Sequence, residues 1–61
     1  MNEAELRAAI AKARTELGRA EQMLNDGMKF LASGWLGDAA RTIAPLQAAC
    51  TALATQEVVA K

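Results

Sequence analysis

Apolar or small residues recur at alternating steps of four and three along the first half of the chain: Leu6, Ile10, Ala13, Leu17, Ala20, Leu24, Gly27 and Leu31. This heptad specifies an α-helix with one continuous seam, and a helix with such a seam needs a partner to cover it. Leu6 aside, the seam positions divide by size, with Ile10, Leu17, Leu24 and Leu31 on one row and Ala13, Ala20 and Gly27 on the other. Large side chains facing small ones let two helices approach at the short end of the usual ~8–10 Å spacing. The pattern fixes how the chain packs and leaves its biochemical role open.

Length limits the ways in which the seam can be covered. A 61-residue chain builds one domain whose single core gives marginal stability, so a supplement is expected. Cys50 is the single cysteine and histidine is absent, which leaves no intrachain disulfide and no ordinary structural zinc set. Oligomerisation is the remaining supplement. With seven basic and seven acidic residues the formal net charge is zero, so no global field draws the chain to nucleic acid or to an anionic membrane. Glu3 and Glu5 stand where a secretory signal needs a basic region, and the expected location is cytoplasmic. Residues 42–56 carry no charge, yet this stretch is shorter than the ~20 residues of a membrane-spanning helix and includes Pro45, Gln47, Thr51 and Thr55.

The expected fold is all-α: one antiparallel two-helix hairpin over residues 1–61, assembling into a four-helix bundle dimer or a higher oligomer. Asn2 with Glu5 three residues on is an Asn variant of the capping box, which starts helix 1 near Glu3. Glu3 with Arg7, Lys12 with Glu16, Glu16 with Arg19 and Asp26 with Lys29 are spaced to pair on its exposed side. Asn25, Asp26 and Gly27 form a turn-like cluster inside the heptad. Because the heptad stays in phase through Gly27 to Leu31, helix 1 is predicted over about residues 3–32 with a kink near Gly27; the competing reading ends it at Asn25. Ser33 to Trp35 then form the reversal, with Gly34 suited to the left-handed position after a helix. Helix 2 is predicted over about 36–58, with Leu36, Ala39, Ile43, Leu46, Cys50 and Leu53 on its seam and a kink at Pro45. The alternative there is one helix ending near Ile43 and another with Pro45 in its first turn.

The candidate binding surface lies near the predicted turn. Residues flanking the seam change from Arg7, Ala9, Arg14 and Glu16 to Met23, Met28 and Phe30, and Trp35 is at the same end. Methionine and aromatic residues dominate adaptable grooves and protein interfaces, so Met23, Met28, Phe30 and Trp35 are the partner-binding candidates. The bland alternative is that Phe30 and Trp35 plug the end of the hairpin. Arg7 with Arg14, and Lys12 with Arg19, recur at seven-residue intervals. Together with Arg41 they are the candidate set for a nucleotide or another small anionic ligand, and on their own the stripes could track RNA phosphates. Glu16 and Glu21 interrupt those stripes, and no aromatic residue is interleaved to stack on bases. Cys50 on a seam behaves as a small hydrophobe.

Nothing in the chain supplies a catalytic constellation. There is no His or Tyr, no glycine-rich phosphate loop, no metal-ligand cluster and no nucleophile with a base beside it, so neither an enzyme, a cofactor nor a metal is expected.

Residues 23–46 resemble one tetratricopeptide-type helix pair, with Gly27, Phe30, Gly34, Leu36, Ala39 and Ile43 at its small and apolar positions. Asp26 stands where that repeat buries a leucine, Leu46 where it prefers alanine, and the closing proline is absent. What the resemblance implies is shared packing geometry between antiparallel helices, since a single repeat has no neighbours to stack on. The layout of helix, turn, Trp-Leu and second helix also resembles small phage proteins that oligomerise and disable a host factor or sequester a signalling nucleotide, and small secretion co-chaperones. From the apolar widening near the turn and the absence of a catalytic constellation, the expected function is a non-catalytic interaction protein that self-associates and binds a protein partner as a regulator, inhibitor or co-chaperone. The alternatives are an oligomeric nucleotide binder and an RNA-binding bundle.

Overall fold

A computed structural model describes residues 1–60, with side chains through Gln56. Three helices follow one another, α1 (Glu3–Asn25), α2 (Lys29–Ile43) and α3 (Leu46–Ala60), with no strand among the described residues. The chain extends over 51 × 15 × 12 Å. It is a long hairpin: α1 is one arm, and α2 and α3 form the other as a single path bent at Ala44 and Pro45.

The start of α1 is the predicted one. The Asn2 side chain accepts a hydrogen bond from the Glu5 amide at 2.8 Å, and the Glu5 carboxylate accepts from the Asn2 amide at 3.4 Å. Two of the helix's orphan donors are thereby satisfied. Arg7 pairs with Glu3 one turn back at 2.7 Å.

The end of α1 corrects the prediction. The helix stops at Asn25 rather than running to Ala32, and the chain reverses at Asp26, Gly27 and Met28. Gly27 has φ of 78°, the left-handed region that an L side chain resists. The Met28 amide donates to the Met23 carbonyl at 2.8 Å and the Gly27 amide to the Leu24 carbonyl at 3.0 Å. That pair of bonds is a Schellman motif, in which two carbonyls left over at the helix end are satisfied by the residues of the turn. Ser33, Gly34 and Trp35, predicted to be the reversal, lie inside α2. Residues 29–43 form one helix, so residues 23–46 do not make the tetratricopeptide-type helix pair that they resemble, and Gly27 is a turn residue and not a helical one.

At the second interruption both halves of the prediction meet. Proline has no amide to donate, so the ladder breaks at Pro45. Ala44 nonetheless stays right-handed helical, with φ −48° and ψ −44°. Its amide still donates to the Ala40 carbonyl at 2.9 Å, and the Pro45 carbonyl accepts from Ala49 at 3.1 Å. The arm bends there without reversing, and Leu46 turns in against α1 as a buried residue.

The core of the hairpin is thin. Its buried apolar residues are Leu6, Ala13 and Ala20 from α1, Ala32 and Ala39 from α2, and Leu46 from α3. Alanines make up the buried apolar positions over most of the length, with leucines only toward the open end. The large row of the heptad, expected on the seam with the alanines, flanks it instead: Ile10, Leu17, Leu24 and Leu31 are exposed. On the second arm, Ala39 and Leu46 keep their predicted seam positions and Leu53 is half-buried, whereas Leu36, Ile43 and Cys50 are exposed.

Candidate functional site

Two side-chain contacts across the seam orient everything else. Thr42 Oγ1 donates to Glu16 Oε1 at 2.7 Å, and the Arg19 guanidinium lies 5.1 Å from the centre of the Trp35 ring. Glu16, Arg19, Trp35 and Thr42 therefore share one side of the hairpin, together with the half-buried Met23. Residues advance by about 100° each around a helix. The positions on the opposite flank of α1 are then Ile10, Leu17 and Leu24, and those on the matching flank of α2 are Leu36 and Ile43.

One face is consequently aliphatic. These five side chains stand in two seven-residue rows, one per arm, and are between 43% and 53% exposed. They are half embedded beside the alanine seam and half open to solvent. Scattered apolar residues on a surface are ordinary, whereas these large aliphatics are aligned in two rows on one face. At the open end, Ile10 also lines a groove with Leu6, Cys50 and Leu53, edged by Glu3 and Arg7.

The other face is polar and internally satisfied. Glu16 is only 8% exposed, in place of the solvent-facing position that its spacing to Lys12 and Arg19 suggested. It accepts from Thr42, and Lys12, Asp38 and Arg41 line the same shallow cleft. Arg41 is paired with Asp38. No buried side-chain nitrogen or oxygen among the described residues lacks a partner.

The partner-binding candidates Met23, Met28, Phe30 and Trp35 do not converge on one patch. Met23 and Trp35 are half-buried on the polar side, where Trp35 supports Arg19. Met28 is the N-cap of α2 and is exposed. Phe30 projects from the back of α2 and is 96% exposed. The basic candidates are also divided: Arg7 is engaged by Glu3, Arg41 by Asp38 and Arg19 by Trp35. Lys12 shares its cleft with two carboxylates, and Arg14 lies on the opposite flank of α1 from Lys12 and Arg19. The aliphatic face was carried in the sequence by the size split of the heptad, since rows of large and small residues on one helix cannot both lie at the centre of an alanine-tight seam.

Among the described residues no group of three His, Cys, Asp or Glu is placed to hold a metal ion, and no helix is long and apolar enough to cross a membrane. Compared with protein-family models, curated proteins and solved structures, the chain matches none.

Proposed function

We propose that this chain is a non-catalytic interaction protein: a helical hairpin that self-associates into a four-helix bundle or higher oligomer and binds a protein partner as a regulator, inhibitor or co-chaperone. The observation that carries this reading is the aliphatic face, on which Ile10, Leu17, Leu24, Leu36 and Ile43 remain half-exposed while the intrachain seam is mostly alanine. Burying such a face supplies apolar area that the hairpin lacks on its own. Partner contact is assigned to the turn end, where Phe30 is a free aromatic anchor with Met28 close by in the chain. Aromatic residues of this kind dominate the energetics of protein interfaces.

Native mass spectrometry of the protein purified from its source cells tests both parts together, because it reports copy number and any retained protein in one spectrum. The expected result is a dimer or higher oligomer with a protein bound. Phe30→Ala should release that protein while shifting unfolding by no more than about 0.5 kcal/mol, since an open side chain contributes little to the fold. A monomer without a bound protein would sink the reading, and retention of the protein by Phe30→Ala would remove Phe30 from the binding site.

A further inference from the structure

The aliphatic face is self-complementary about a single two-fold axis, and we infer that its occupant is a second copy of this chain packed with α1 antiparallel to α1. The inference rests on the self-association proposed above and specifies its symmetry. Three observations converge on one axis. On α1, the row Ile10, Leu17, Leu24 is centred on Leu17. On α2, the exposed row Leu36, Ile43 is centred between residues 39 and 40. Across the seam, Glu16 meets Thr42 and Arg19 meets Trp35, so the level of Leu17 on α1 is the level of residues 39–40 on α2. A two-fold axis lying in the face and crossing the hairpin at that level therefore maps both rows onto themselves. Ile10 meets Leu24 of the second copy, Leu17 meets its own counterpart, and Leu36 meets Ile43.

Charge selects this arrangement over the other face-to-face dimer. Arg14 and Glu21 follow each other by seven residues on the outer edge of the α1 row and are both exposed. Among the described residues the ion pairs are Glu3–Arg7 and Asp38–Arg41, so neither Arg14 nor Glu21 is engaged within the chain. They are symmetric about the level of Leu17, and the antiparallel axis brings Arg14 opposite Glu21 of the second copy, twice per dimer. An axis running along the helices would instead place α1 over α2 of the second copy. The outer edge of the second arm there carries Lys29, Ser33 and Ala40 on α2 and Gln47 on α3, with no acidic residue, so Arg14 would stand without a partner. Flanking charges of this kind set orientation in helical bundles.

A charge exchange and a crosslink test the symmetry. By analytical ultracentrifugation the wild type is dimeric, Arg14→Glu raises the dimer Kd by about tenfold, and Arg14→Glu combined with Glu21→Arg returns it to within about twofold of wild type. In a Cys50→Ala background, Leu17→Cys forms a disulfide-linked dimer under mild oxidation, while Phe30→Cys at the far ends of the assembly does not. A dimer in which the double exchange gives no recovery and Leu17→Cys fails to crosslink overturns this symmetry and leaves self-association standing. A monomer at every concentration tested overturns both.

Discussion

Glu16 shows how one residue fixes the register of two helices. Its carboxylate is nearly closed to solvent and accepts from Thr42, 26 positions later in the chain. The hydroxyl also lies 3.1 Å from the Asp38 carbonyl, but a carboxylate is the stronger acceptor. Sliding α2 along α1 by one turn would leave a buried charge without its donor, at a cost that exceeds the loss of a few alanine contacts. Removing the donor alone should therefore be worse than removing both groups. Thr42→Val is expected to lower stability by about 1–3 kcal/mol in urea titration, and Glu16→Leu combined with Thr42→Val by less than Thr42→Val alone, because the double variant leaves no orphaned carboxylate. The partner of Glu16 was not legible in the sequence. Spacing to Lys12 and Arg19 reads the same whether the glutamate faces water or a second helix, and the true partner is distant in the chain.

Elements were legible where their signals are local. The capping box of Asn2 and Glu5 and the break at Pro45 each depend on a few adjacent residues, and both stand in the structure. At the end of α1 a long-range pattern and a local one disagree, and the helix ends at Asn25 as the local one indicates. Leu24 and Leu31 keep heptad spacing across the turn, yet Leu24 belongs to α1 and Leu31 to α2. A three-residue reversal leaves the phase of the count untouched, so periodicity alone cannot detect it. The cluster Asn25, Asp26, Gly27 carries the physical information, since Gly27 alone among the described residues takes a positive φ. Gly27→Ala should accordingly lower stability by about 1–2 kcal/mol. The strain would come from the backbone, because an added Cβ there meets nothing within 4 Å. Gly18→Ala makes the opposite prediction. Gly18 is helical, equally open and exposed on the outer side of α1, so alanine should raise stability by about 0.5–1 kcal/mol in the same urea titration.

At the scale of the whole molecule, the fold has the length of a long helical arm and the core of a very small protein. No large side chain is fully buried among the described residues, and the seam between the arms is mostly alanine. The reason lies in how the apolar residues are distributed. The alanine rows bring the backbones together, which pushes the larger rows outward to one side, where neither arm of the hairpin covers them. The sequence showed that a partner helix was needed; which row would face the intrachain arm depended on the size match between helices, and a periodicity count weights Leu17 and Ala20 alike. If the aliphatic face closes on a second copy, folding and association are one equilibrium, and the unfolding midpoint must rise with protein concentration. For two chains of this length the expected shift is roughly 5 °C per tenfold change in concentration. Ile43→Gln separates the two contributions. The residue is half-exposed in the hairpin and lies off the alanine seam, so the loss within one chain is about 1 kcal/mol or less. In the assembly it would place an amide against Leu36 of the second copy on the same face, where the amide has no hydrogen-bonding partner. The variant should unfold at a midpoint that no longer depends on concentration; an undiminished dependence would mean that association uses a surface other than the aliphatic face.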